Sequence, residues 1–329
     1  MLRDKLRIGV CGVGSIGVRH ARLLSKRQNV DLFLCDVAIS SLNQVPPLPD
    51  ALATTDSFDE LLGWDLDGLV IATPEHLHIE QAIAASLKSV PILLEKPVAE
   101  NAQDALTLFN VVRDTGTRVL VGYVLRYADS MRLAKSVLKE GLIGTPLSFQ
   151  IMTGAYETLS LAKSRFDAEI RNRLFADYSH EWDYVTWFLG DVSHVVASSH
   201  QSGNLELSQQ PNIVEAIIEM NSGATGTVHL DYVQQPSYRH IRLIGDQGSL
   251  EIDMNQNLVS VHICGEHNAR RYQTLETRDN LFERQLDHFM EVIALKTQPM
   301  VTVQDGLNAL KVADALIASC ESRSWQTIS

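Results

Sequence analysis

The sequence predicts an α/β chain: an N-terminal doubly wound parallel sheet with helices on both faces, then a C-terminal α+β domain with a large open, mostly antiparallel sheet. Three observations carry this. Up to about Val121 short apolar runs alternate with helical patterns, the rhythm of βαβ units. From about residue 146 the apolar runs crowd together with turn residues between them, the rhythm of antiparallel strands. A length of 329 residues exceeds that of a typical single domain. The expected division is 1–124 and 125–329, the second part carrying substrate binding and assembly.

In the first part LRIGV, VDLFLC, LDGLVIA, VPILLE and TRVLVGY read as strands, their near-continuous Val, Leu and Ile content suiting strands covered on both faces. SIGVRHARLLSK, SFDELLGW, HLHIEQAIAASL and AENAQDALTLFNVVRDTG read as helices, the last closing on Gly116 as a C-cap. PPLPD at 46–50 reads as a surface loop. In the second part TPLSFQIM, VSHVVASSH, NIVEAIIEM, GATGTVHLDYV, YRHIRLIG, GSLEIDM and LVSVHIC read as strands. MNSGATG marks a turn and GDQGS a tight hairpin. The helical stretches LFERQLDHFMEVIAL and QDGLNALKVADALIASC finish the chain. TVHLDYV and LVSVHIC alternate in a way that leaves one sheet face with apolar or aromatic groups, a face that would aggregate if bare. A homodimer or homotetramer packed through the C-terminal sheet is the corresponding expectation.

Composition excludes several partners. Forty acidic against 28 basic residues give a formal charge of −12, and no compact Lys/Arg stripe offsets it, which opposes nucleic-acid binding. No apolar stretch approaches the roughly 20 residues of a spanning helix, and MLRDKLRIGV lacks the long apolar centre of a signal peptide, so no membrane association and a cytoplasmic location are expected. Cys11, Cys35, Cys264 and Cys320 are scattered without a CxxC pair or a histidine at metal spacing. Reduced, mostly buried thiols and no metal site follow.

The segment Gly12, Val13, Gly14, Ser15, Ile16, Gly17 follows one predicted strand and opens a predicted helix. Asp36 ends the next strand, nineteen residues beyond Gly17. In that Rossmann arrangement backbone N–H groups at a helix N-terminus hold a pyrophosphate and the acid binds the adenosine ribose hydroxyls. A carboxylate there repels a 2′-phosphate and DVAISS supplies no arginine, so NAD is favoured over NADP. The plainer reading of Asp36 is a turn cap. Arg19 and His20 fall inside the helix, where packing or solvent exposure is expected.

GVGSIGVRH, IATPEHLH (71–78), LLEKP (93–97), GYVLRY (122–127) and DYSHEWDYVTWFLG (177–190) together resemble the Gfo/Idh/MocA family of glucose-fructose oxidoreductase and inositol dehydrogenase, in order from residue 6 to at least residue 253. The resemblance implies a Rossmann domain, an α+β domain whose sheet often forms the oligomer interface, and hydride transfer between a nicotinamide and a sugar-like or cyclitol hydroxyl. It places Thr73, Pro74 and His76 against the cofactor near the nicotinamide, with His78 a helix residue of no direct role. It assigns Lys96 to substrate and proton handling, and makes Lys96–Pro97 a candidate cis peptide. Physical chemistry runs alongside: Glu95, Lys96 and Pro97 end a strand, where ligands of open parallel sheets bind. An ammonium there can polarise the reacting hydroxyl or join a proton relay. A surface lysine paired with Glu95 is the plainer alternative.

If a helix starts near Asp177, His180 stands i+3 from Asp177 and Asp183 stands i+3 from His180, one imidazole between two carboxylates. The positive end of the helix dipole favours the neutral ring, which can accept the substrate proton. The alternative makes Asp177 an N-cap and His180 a core residue among Trp182, Tyr184, Val185, Trp187 and Phe188. The family's commonest form carries its aspartate four residues before the histidine, whereas that position is Ala176 here, so the orienting role of Asp177 rests on a variant form, D-x-S-H-E. The candidates for substrate contact are Lys96, His180, Arg126, Tyr127, Tyr156, and the basic stretch Lys163, Arg165, Arg171 and Arg173, which either selects an anionic sugar or is a solvated loop. Three functions fit: an NAD-dependent dehydrogenase of a carbohydrate-like small molecule, an NAD-dependent glycosidase, and a non-catalytic dinucleotide-binding regulator.

Overall fold

The computed structural model describes residues 5–39, 48–157, 173–203 and 211–328. It divides into two compact units, Met1–Val124 with Arg278–Leu307, and Leu125–Thr277 with Asn308–Ser329. Residues 278–307, read from sequence as part of the second domain, thus cluster with the first. The helix Arg278–Ile293 buries Leu281, Phe282, Leu286 and Phe289, and Val121 donates its N–H to Val301. Such long-range packing leaves no mark on local periodicity.

The first unit holds β1 (Leu6–Cys11), β2 (Val30–Cys35), β3 (Ala53–Thr55), β4 (Gly68–Ile71), β5 (Ile92–Leu94) and β6 (Val119–Val121). Their order is β3-β2-β1-β4-β5-β6, all parallel, so the chain direction of winding reverses between β1 and β4. That is the switch point beside which ligands of such sheets bind. Ile8, Val10, Leu69, Val70, Ile71, Leu93 and Leu94 are fully buried, as strands covered on both faces require. The helices α1 (Ser15–Ser25), α2 (Phe58–Leu62), α3 (His78–Leu87) and α4 (Ala102–Thr115) coincide with the predicted segments. Ser57 caps α2 and Asn101 caps α4, while Gly116 at φ 69 closes α4 as expected. β3 escapes sequence reading because three residues, ATT, are too few for a period.

In the second unit α5 (Asp129–Lys139), α6 (Arg173–Asp177) and α7 (Ser179–Leu189) accompany nine strands: β7 (Pro146–Gly154), β8 (Val192–His200), β9 (Ile213–Met220), β10 (Thr225–Asp231), β11 (Tyr238–Gly245), β12 (Gly248–Asp253), β13 (Leu258–Ile263), β14 (Arg270–Gln273) and β15 (Gln326–Thr327). They lie in the order β14-β13-β12-β11-β7-β10-β9-β8-β15, antiparallel except for the parallel pair β7 and β10. Gly245 faces Gly248 across a two-residue turn, the predicted hairpin. β14 was not predicted; its RRYQ is exposed at every position and carries no apolar alternation.

The expected bare apolar sheet face is not what forms. Val228, Leu230, Ile218, Ile241, Leu243 and Ile252 all point into the covered side. The open side is set by the register: Thr227 between Ile217 and Gln150, and His229 between Glu215 and Met152. Apolar groups that show there include Met152 at 47% and Ile217 at 41% exposure, Ile217 facing the half-buried Val196 across the strand pair. The alternation of TVHLDYV places its apolar members inward and its Thr and His outward. The inward-facing apolar members of these strands are thus covered within the single chain. Among the described residues no helix is long and apolar enough to cross a membrane.

Candidate functional site

The glycine loop runs from the end of β1 into α1. Gly12 stands at φ +82, where an added Cβ would lie 2.6 Å from the Thr73 nitrogen; at Gly17 it would lie 1.7 Å from the Gly12 carbonyl oxygen. Only glycine permits this turn and this approach of helix to strand. Gly14 caps α1 with no side chain on the helix end and faces open space, and the first turn carries no acid. The positive end of an 11-residue helix is thus left for an anion. Asp36 braces the loop: Oδ2 accepts the Val13 N–H at 2.9 Å and Oδ1 accepts the Ala38 N–H at 3.0 Å. The turn-cap reading of Asp36 is met by these two amides, and the carboxylate keeps further lone pairs. The residues present fit a dinucleotide.

Beyond β4, Thr73 is half-buried and donates Oγ1–H to Gln81 Oε1 at 2.7 Å, while Pro74 and His76 are exposed, His76 in the short 3₁₀ turn Glu75–Leu77. Beyond β5, Glu95 is buried, Lys96 half-buried, and the Lys96–Pro97 peptide is cis as expected. Glu95 does not serve as a surface partner of Lys96: its Oε1 lies 2.7 Å from Nε2 of the fully buried His20, and its Oε2 accepts the Lys96 backbone N–H at 3.2 Å. His78, given no role by the sequence, is buried at the start of α3. Its Nδ1 lies 2.8 Å from the Pro97 carbonyl and its Nε2 2.9 Å from the Thr73 carbonyl. Carbonyls only accept, so both contacts are hydrogen bonds when the ring carries two protons. Burial opposes this, lowering the His78 pKa below the usual imidazole range, and the two carbonyls raise it in part. The neutral ring donates to one of the two.

In the second unit the stretch 177–183 differs from its expected form. α6 ends at Asp177, Tyr178 breaks the path at φ −92, ψ 29, and α7 starts at Ser179 with Tyr178, not Asp177, as N-cap. His180 still lies in the first turn of α7, half-buried. Asp177 accepts a 2.6 Å hydrogen bond from the Tyr232 hydroxyl and lies 3.5 Å from Arg173. Asp183 is turned away to Arg126, which donates from Nε at 3.0 Å and from Nη2 at 2.7 Å, a fork in which both side chains are buried. Arg126 also lies over the Trp187 ring at 5.3 Å. Arg126 is therefore a buried structural cation and not an open substrate contact. Tyr156 follows β7 half-buried, its N–H on the Gln234 carbonyl. Lys163, Arg165 and Arg171 lie outside the described residues.

An imidazole between two carboxylates does occur, at His229 on the open sheet face. Nδ1 lies 2.6 Å from Glu215 and Nε2 2.9 Å from Asp231. Asp231 above all, then Glu215, raise the His229 pKa to about 9 against its desolvation. A folded pKa above the unfolded value means stabilisation present below about 6.5 and lost as pH rises through 9. The unfolding midpoint should fall between pH 6.5 and 9, and His229→Gln should flatten that segment; an unchanged slope in the variant would remove the assignment.

Two family models cover most of the chain: the oxidoreductase family's NAD-binding Rossmann fold over residues 6–123, and its C-terminal alpha/beta domain over 135–328. The chain belongs to the Gfo/Idh/MocA oxidoreductase family. Its relatives include the 2,7-anhydro-N-acetylneuraminate hydratase of Escherichia coli strain K12, 24% identical over 83% of this chain and 74% of that one. Inositol 2-dehydrogenase 2 of Paenarthrobacter aurescens is 24% identical over 98% of each. A levoglucosan dehydrogenase structure in complex with NADH superposes with TM-score 0.88 at 19% identity, over 99% of both chains.

As a Gfo/Idh/MocA chain the protein has an NAD-binding domain whose glycine loop, Asp36, Thr73 and Glu95–Lys96 gather at the carboxyl ends of β1, β2, β4 and β5. His20 and His78 were missed, and one signal could have found them. Gly17, His20, Ala21 and Leu24 are buried at i, i+3, i+4 and i+7 in α1, as are His78, Gln81, Ala82 and Ala85 in α3. A histidine on the apolar stripe of a helix is buried, and a buried imidazole takes a partner. Tyr232 gave no such signal.

Proposed function

We propose that the chain is an NAD-dependent dehydrogenase or reductase that moves a hydride between the nicotinamide and a hydroxyl or carbonyl carbon of a sugar, sugar derivative or cyclitol. The observation that carries it is Lys96, an ammonium borne on the cis turn after β5, in the row of strand ends that includes the glycine cradle. When bound, NAD supplies the hydride acceptor or donor. Lys96 stabilises the alkoxide that develops as the carbon–hydrogen bond weakens, and His180, in the first turn of α7, accepts the hydroxyl proton. Thr73, Pro74 and His76 take the cofactor's nicotinamide side, and Tyr156 contacts substrate. The relatives named for inositol and levoglucosan dehydrogenases support a polyhydroxylated substrate. The free thiols Cys11, Cys35, Cys264 and Cys320 accord with action in the cytoplasm. A panel of sugars, inositols and sugar acids, followed by NADH absorbance, tests the reading; no turnover on any of them would count against it.

Asp36 should favour NAD(H) over NADP(H) at least tenfold, about 1.4 kcal/mol, because its carboxylate stands where a 2′-phosphate would come. Calorimetry showing equal affinities would remove this role and leave Asp36 only its two amides. A second reading draws on the relative named as a hydratase. In it the oxidised carbon is reduced again within one turnover, as in an NAD-dependent glycosidase. Release of nitrophenol from a glycoside with no net NADH would favour it.

A further inference from the structure

The turn that carries Lys96 is held from two sides by histidines on two different helices. On one side His20, from α1, reaches Glu95 Oε1 at 2.7 Å, and the other oxygen of the same carboxylate accepts the Lys96 backbone N–H at 3.2 Å. His20 is fixed in turn by an edge-on contact with Phe282, ring centroids 5.3 Å apart. On the other side His78, from α3, faces the Pro97 carbonyl at 2.8 Å and the Thr73 carbonyl at 2.9 Å. The three residues Glu95, Lys96 and Pro97 thus have an imidazole nitrogen within hydrogen-bonding distance at each end. The imidazoles are 0% and 1% exposed, so water does not compete for either contact.

We propose that His20 and His78 are positioning residues that clamp the Glu95–Lys96–Pro97 turn, His20 through the Glu95 carboxylate and His78 through the Pro97 carbonyl, and so set the direction of the Lys96 ammonium. The same two residues join that turn to neighbouring parts of the dinucleotide cradle. His20 ties it to the helix that opens at the glycine loop, and His78 ties it to the loop of Thr73. Lys96 itself has a long stem with costly rotamer freedom, and the backbone that bears it sets where that stem starts. Misplacing a reacting group by about 1 Å costs as much as 10²-fold in rate. The inference rests on the proposed role of Lys96, but its test does not need turnover.

The test uses the full chain grown with ε-¹³C-lysine, the Lys96 signal being the one lost in Lys96→Arg. His20→Met keeps the volume and removes the donor; His20→Gln keeps a donor within reach of Glu95. The clamp requires the Lys96 signal to shift or broaden in folded His20→Met, to return toward its original position in His20→Gln, and to move again in His78→Leu, the other lysine signals staying in place. Should His20→Met fail to fold, Glu95→Met substitutes for it: it removes the acceptor of both the His20 contact and the Lys96 N–H, and the signal must move there too. Where a turnover assay is in hand, kcat should fall about 10- to 100-fold in His20→Met with KM for NAD little changed. A Lys96 signal unmoved in folded His20→Met and His78→Leu overturns the clamp even if both proteins have lower melting points. Full turnover by Lys96→Ala would instead sink the proposed role of Lys96, so the two failures are distinct.

Discussion

Lys96→Ala and His180→Ala should each lower kcat by about 10² to 10⁴ while leaving folding and NAD affinity near their original values. A group that stabilises a developing alkoxide and a group that accepts its proton each contribute in that range. Lys96 is half-buried and His180 is half-buried at the start of α7, so truncation at either removes chemistry before it removes stability. The measurement is steady-state kinetics on a substrate from the panel, with NADH binding followed by fluorescence. A His180→Ala enzyme that turns over at near its original rate from pH 6 to 9 would remove the second-unit half of the mechanism. Asp177→Asn adds a finer discrimination. Its carboxylate accepts from Tyr232 and does not cap α7, so a loss of kcat in Asp177→Asn comparable to that in His180→Ala would assign it to orienting the imidazole.

Arg126→Leu should destabilise the second unit by about 3–5 kcal/mol, the cost of leaving a buried charge without its partner. Asp183 is 1% exposed and both its oxygens are bound by the guanidinium fork, so removal of Arg126 strands a buried carboxylate. The double variant Arg126→Leu, Asp183→Leu should recover most of the loss, because two apolar groups replace two charges that burial had desolvated. Urea unfolding of the three proteins measures this. If Arg126→Leu alone costs less than 1 kcal/mol, solvent reaches Asp183 and Arg126 regains a claim to substrate contact.

The local parts of this molecule were legible in the chain. GVGSIG predicted a strand, a loop and a helix because each has its own short-range signature: an apolar run, glycines where a Cβ would collide, and an apolar stripe at helical period. Gly116 was legible as a left-handed C-cap, and the GDQGS hairpin as turn residues between two apolar runs, with glycines where a Cβ would meet the Ile143 and His262 carbonyl oxygens. The family resemblance pointed to Lys96 and His180 through motifs, which mark a residue and not its surroundings.

What surrounds them was decided only by the tertiary structure. Sequence spacing offered His180 both Asp177 and Asp183, yet a break at Tyr178 gave Asp177 to Tyr232, and Arg126, 57 positions away, took Asp183. Sequence offered Glu95 to a ligand at the strand end or, in the plainer alternative, to Lys96 at the surface, and the structure pairs it with His20, 75 positions distant. Residues 278–307 fold back on the first unit, and the apolar alternation of the later strands turns inward. In each case a burial cost that one residue cannot meet alone is met by a partner far along the chain. Periodicity shows that a side chain is buried, but the identity of its partner is set by packing, which no local window contains.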